Sequence, residues 1–199
     1  MWRFGGEDVN IYGLGQGTID GLGQTWWNAL ISNSTVVRPL LLGTDGLKGG
    51  SITGLKMINS PNWFNIIANS SDILISDMDL SVVNTDGWDT YRSDNIVIQN
   101  SVIDNTNGAI QITQCYFAAS DEACQQYPAT LVIEDILFRD FTGTTSKEND
   151  PRVGSLICSD PSVCKNIQAH NINVSPPSGK DPKWTCTNMD NSLLDIDCI

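Results

Sequence analysis

The apolar positions come in short runs of period two rather than at helical spacing. SITGLKMI (51–58), ILISDMDL (73–80) and IVIQNSVI (96–103) are Ile/Leu/Val-rich, and each runs into a turn bearing Asn or Asp. Ile58, Leu80 and Ile103 end these segments at spacings of 22 and 23, and LVIEDILF (131–138) and NIQAHNINV (166–174) repeat the pattern at wider intervals. β-Branched runs bounded by Gly, Asn, Asp and Ser are strand signals. A spacing of 22 to 23 residues is too short for a βαβ unit and suits one coil of a parallel β-helix, where each coil buries its apolar side chains against its neighbours. Asn and Ser at equivalent turns would then stack as hydrogen-bonded ladders. The competing architecture is an antiparallel sandwich with strands every ~8–12 residues; the period and the Asn turns favour the solenoid. TWWNAL (25–30) reads as a short helical turn. One domain is expected, with coils over 1–174 and a loop-rich C-terminal cap over 175–199.

Charge narrows the partners. With 23 acidic and 11 basic residues the formal net charge is −12, which argues against nucleic acid and against an anionic membrane surface, since both need a basic footprint. An acidic polymer could still be bound, but only through a local cluster of Arg and Lys, and such a cluster is hard to find along the chain. No stretch of ~18 apolar residues suggests a membrane span. MWRFGGEDVN lacks the apolar core of a signal peptide, so none is expected in this chain, and Met1 reads as an internal or trimmed start.

Six cysteines lie as three close pairs, Cys115/Cys124, Cys158/Cys164 and Cys186/Cys198. Six allow ~15 connectivities, of which local pairing is the simplest. Zinc is the rival, but there is no CxxC and His170 is the lone histidine, so no metal is expected. Sequons at Asn33, Asn69 and Asn173 fit an oxidising, secretory setting.

Four stretches carry a family resemblance: WRFGGEDVNIYGLGQGTIDGLGQTWW, NTDGWDTYRSDNIVIQNSVI, AIQITQCY and GTTSKENDPRVGSLICSDPSVC. In this order they resemble fungal exo-polygalacturonases of glycoside hydrolase family 28, over Trp2 to Cys198. The resemblance implies a right-handed parallel β-helix of the pectin-lyase-like kind and secretion. It implies inverting, metal-free and cofactor-free hydrolysis of α-1,4-galacturonan in pectin, with single galacturonic acid units released from the non-reducing end. The implied partner is polygalacturonate or a pectin oligosaccharide, met by a monomer.

The family's site uses four motifs on successive coils: Asn-Thr-Asp, Asp-Asp, Gly-His-Gly and Arg-Ile-Lys. Inversion needs an acid on the glycosidic oxygen and a base on water, with carboxyls about 6.5–9.5 Å apart. Clustered carboxylates keep one proton on the acid, and the cations neutralise the substrate's carboxylates. Only Asn84-Thr85-Asp86 is present here. Asn107 and Gly108 occupy the two aspartate slots, and AIQITQCY resembles a strand several coils later in the family. The chain therefore reads as a shortened β-helix with a coil-skipping junction near 104–108. The jump preserves register, so the stack can still close its core. The N-terminal coil is expected to present an unpaired edge.

Asp86 is the catalytic position by motif match, read here as a vestigial acid or base. One carboxylate cannot fill both roles in one turnover. Asp89 and Asp104 are conceivable substitutes, though ordinary turn chemistry explains both. Asn84, Trp88, Arg92 and Asn107 are the expected substrate contacts, with Trp88 favoured among the tryptophans over Trp26, Trp27 and Trp63. Arg92 and Lys56 are the basic residues expected nearest the site, and His170 is expected to be structural. Three functional readings follow: an exo-acting galacturonan hydrolase, a non-catalytic remnant of one, and a carbohydrate-binding β-solenoid of other ancestry.

Overall fold

A computed structural model describes residues 2–81, 86–115, 118 and 120–199, with the side chains of Asp86, Asn105 and Asp121 outside that description. The elements are β1 (Trp2–Asp20), α1 (Gly23–Ser32), β2 (Leu42–Ile58), β3 (Asn65–Ala68), β4 (Ser71–Ser76), β5 (Asp79–Ser81), β6 (Asp86–Trp88), β7 (Thr90–Tyr91), β8 (Asp94–Thr106), β9 (Gly108–Thr113), α2 (Asp121–Gln126), β10 (Ile133–Thr145), β11 (Arg152–Ile157), β12 (Cys164–Ser175) and β13 (Lys183–Thr187). Every strand pair is parallel. The first sheet runs β12-β10-β8-β4-β2-β3-β7, with β1 beside β2 and β5 between β2 and β8; the second runs β13-β11-β9-β6. The later coils cross both sheets, β8 into β9, β10 into β11 and β12 into β13. The molecule is a parallel β-helix, right-handed as parallel crossovers are, and the sandwich alternative falls away.

Its core is a set of residue rows one rung apart. Ile11, Ile52, Ile75, Ile98, Phe138 and Ala169 form one row, and Val9, Gly50, Ile73, Ile96, Ile136 and Ile167 a second. The third corrects the repeat as read from sequence. Met57, not Ile58, aligns with Leu80 and Ile103, followed by Gly143 and Val174, while Ile58 pairs with Ser81. Both side chains are apolar, so hydrophobicity alone did not discriminate the register. Met57 is fully buried; Ile58 faces the opposite side of the strand, as strand alternation requires.

A turn ladder is present, but it alternates Asp with Asn where Asn and Ser were expected. Asp72, Asn95, Asp135 and Asn166 occupy equivalent positions of four coils, and Asp77, Asn100, Asp140 and Asn171 a second column five residues on. All eight have φ between 50° and 58°, the left-handed region where Asn and Asp are enriched. Asn95 donates its amide to Asp72, Asn166 to Asp135 at 2.7 Å and Asn171 to Asp140 at 2.7 Å. Alternation gives each carboxylate a donor and keeps like charges two rungs, about 10 Å, apart. Asn95→Asp would stack three carboxylates and remove one donor, at an expected cost of about 1–2 kcal/mol at neutral pH. Repulsion would raise those pKa values in the folded state above their unfolded ones. The stability lost relative to the parent is therefore expected to be smallest in acid and to grow as pH rises through the carboxylate range. Urea melts at pH 3.5 and 7 check this; equal losses at both would remove the electrostatic explanation.

Residues 104–108 form the corner between β8 and β9, so Ile103 and Ile110 lie in consecutive strands of one coil. The next coil braces that corner. Ser146 donates its backbone N–H to the Thr106 carbonyl at 2.6 Å and its hydroxyl to Asn107 Oδ1 at 2.9 Å, and Asn149 Nδ2 donates to the Asn107 carbonyl at 3.2 Å. The ladders run unbroken across it, Asn95 beside Asp135 and Asn100 beside Asp140. After residue 174 the chain adds β13, the last rung of the second sheet, beyond its loops. The disulfides join Cys115 to Cys124, Cys158 to Cys164 and Cys186 to Cys198. At the other end, β1 hydrogen-bonds to β2 alone among the described residues. No helix is long and apolar enough to cross a membrane.

Candidate saccharide site on the second sheet

The second sheet brings the motif residues to its first row. Asp86 opens β6, and its Cα partner on the next coil is Gly108, so the slot beside Asp86 holds a residue without a side chain. A Cβ built on Gly108 would approach Val153 O at 3.7 Å and Gly154 Cα at 3.9 Å, ordinary contact distances; sterics at Cβ do not require glycine here. Asn84 lies outside the described residues.

Trp88 is not a substrate contact. It is 1% exposed and shares an inward row with Ile110, Gly154 and Trp184. It is packed into the core cluster, where its large ring fills the interior. Asn107 is also committed elsewhere, because its amide oxygen accepts from Ser146 and its carbonyl from Asn149. Lys56 pairs with Asp79 at 2.8 Å on the first sheet, away from this face. Asp104, at the end of β8, accepts from Thr144 Oγ1. His170 lies in β12 beside Arg139 and meets Gln168 Oε1 at 3.2 Å. Trp27 donates to the Pro61 carbonyl at 3.0 Å.

A groove of about 360 Å³ opens beside β7 and β9, lined by Trp63, Asp89, Thr90, Tyr91, Arg92, Gln111, Gln114 and Leu131. It gathers Asp89, Arg92 and Trp63 from the sequence candidates. Arg92 is exposed, its guanidinium lies 5.0 Å over the Tyr91 ring, and its backbone is left-handed at φ 51°. A non-glycine residue there costs about 1 kcal/mol. It forms no ion pair among the described residues, leaving its donors available. One carboxylate oxygen of Asp89 is sealed from solvent. Gln114 is a clamp: its amide donates to the Leu131 carbonyl at 2.8 Å, and its oxygen accepts from the Ser159 N–H and hydroxyl at 3.0 and 2.8 Å. Outward on the same sheet, Gln111, Ser155 and Thr185 form a polar uncharged row. Aromatic faces, a poised cation and amide and hydroxyl groups are what an anionic sugar requires. Sequence reading missed Tyr91, Gln111 and Gln114, which carry no motif and converge only through the coil.

The sequence profile of Glycosyl hydrolases family 28 matches residues 2–117 and 104–194, two segments that overlap at the β8–β9 corner. Exopolygalacturonase A of Aspergillus niger is 40% identical, with 100% of this chain and 70% of that protein covered. Probable exopolygalacturonase X of Aspergillus fumigatus is 35% identical, with 100% and 69% covered. Solved structures similar to this one include the endo-xylogalacturonan hydrolase of Aspergillus tubingensis (TM-score 0.49, 21% identity, 98% of this chain and 76% of that one) and the polygalacturonase of Erwinia carotovora ssp. carotovora (0.48, 16%, 98% and 69%). The alignment with the Aspergillus niger enzyme runs over 303 positions where this chain has 199 residues, a difference of 104 filled by the relative alone. Full-chain identity at this level and a profile match at both ends of the coil stack leave one assignment: the chain belongs to glycoside hydrolase family 28.

Proposed function

We propose that this chain keeps the saccharide-binding face of an exo-acting polygalacturonase but lacks the paired carboxyls that hydrolysis needs. The polymer bound is the α-1,4-linked galacturonan of pectin, as the names of the relatives suggest. The observation that carries the reading is the Asp86–Gly108 pairing. Where an inverting mechanism needs an acid and a base across one glycosidic bond, the rung beside Asp86 offers hydrogen. Asp86 acts as a vestigial acid or base, with Asp89 in the groove wall beside it. Arg92 takes a substrate carboxylate, and Trp63 and Tyr91 offer rings to the sugar. The protein works as a secreted monomer, glycosylated at the exposed asparagines Asn33, Asn69 and Asn173, and uses no metal.

Two measurements test this. Reducing-end release from polygalacturonate is expected to be at least about 100-fold below that of an intact relative, the usual contribution of one general acid or base. Release near the relative's rate would end the impaired reading. Galacturonate oligomers are expected to change tryptophan fluorescence, and Arg92→Gln to weaken their binding about tenfold by removing one charge-assisted contact. No fluorescence change at millimolar oligomer would count against the groove.

A further inference from the structure

Next to the corner that holds Asn107 and Gly108, the coil stack carries a pair of cations. Arg152 opens β11 and Lys183 opens β13, and the two are Cα partners on adjacent rungs, about 4.8 Å apart. The Cβ direction at Gly108 points to Val153 and Gly154, immediately after Arg152. Arg152 and Lys183 thus stand next to the strand start that follows Gly108. Arg152 is exposed and spends one guanidinium donor on Asn149 Oδ1 at 2.8 Å, the side chain that also holds the Asn107 carbonyl. Glu148, Asp150 and Asp181 lie close in sequence, and Asp150 accepts from the Ser178 N–H. Among the described residues none of them pairs with Arg152 or Lys183, in a chain of net charge −12. Like charges side by side on adjacent strands repel, and an anion bridging both would relieve that repulsion.

We infer that Arg152 and Lys183 form a carboxylate-binding step that holds a uronate group of the saccharide chain at the start of β11 and β13. This rests on the galacturonan-binding reading above and adds residues that no motif supplies. Arg offers a planar fork and Lys a point charge, suited to one carboxylate shared between rungs. Of the neighbouring polar row, Gln111 lines the Arg92 groove.

Calorimetric titration with a trigalacturonate and its fully methyl-esterified counterpart tests the assignment. The charged oligomer is expected to bind the parent chain about tenfold more tightly, as charge-assisted contacts require. Arg152→Gln/Lys183→Gln is expected to lose most of that preference while binding the esterified oligomer as the parent does, at an unchanged melting temperature. Arg152→Lys is expected to retain it. A double variant with the parent's preference overturns the inference and leaves the galacturonan reading standing. A parent chain that binds neither oligomer overturns both.

Discussion

The variant Asn107→Asp/Gly108→Asp is expected to release reducing ends from polygalacturonate about 100-fold faster than the parent chain, the low end of what a general acid or base supplies. Gly108 and Asp86 are backbone partners, so an introduced carboxyl starts one rung, about 4.8 Å, from its neighbour. Nothing lies within 3.7 Å of the new Cβ. Asp at 107 can keep the Ser146 hydrogen bond, because that hydroxyl donates to Oδ1. Carboxyls this close raise one another's pKa, which leaves one protonated for leaving-group oxygen and one charged for water. The gain must depend on Asp86. Adding Asp86→Asn should return the rate to the parent's level, and a gain that survived it would show that the new pair acts without Asp86. Absence of any gain would place the deficit elsewhere, in substrate positioning.

The second large effect concerns the fold. Gly143→Ala is expected to lower stability by about 3–4 kcal/mol, the cost of forcing a methyl into a filled space. Gly143 sits opposite Ile103, with φ at 138°, and a Cβ there would fall 1.6 Å from the Ile103 carbonyl oxygen. That neighbour is backbone and cannot rotate away, so the coils carrying β8 and β10 would have to part. Gly179→Ala is the control. Its φ is 69° but nothing lies within 4 Å of its Cβ, so only the left-handed penalty of about 1 kcal/mol applies. Equal losses in urea melts would show that backbone conformation, and not the approach of the coils, sets the cost at Gly143.

The coil period, the strand segments and a helical turn over 25–30, inside the observed α1, were legible along the chain because each is local. A strand of alternating Ile and Leu buries one face wherever it lies, and left-handed turn positions admit a short list of residues. Even the ladders were legible in part, as Asp and Asn doublets five residues apart at 72/77, 95/100, 135/140 and 166/171. Their alternation between coils was not, because it depends on which coil lies beside which.

The site shows the same division. Asp86 announced itself through Asn-Thr-Asp, and Arg92 through its nearness to that motif. Trp88 misled because nearness to a motif in sequence says nothing about burial: its row joins Ile110, Gly154 and Trp184 in the core. Lys56 misled for a related reason, being one coil away from Asp79 and on the other sheet. No basic cluster could be found along the chain because Arg152 and Lys183 stand 31 residues apart and only the β11–β13 register makes them neighbours. Local patterning thus determined the kind of fold and one member of the site. The stacking order of the coils decided the rest, since in a solenoid each rung's partners are set by backbone pairing across a whole turn of chain.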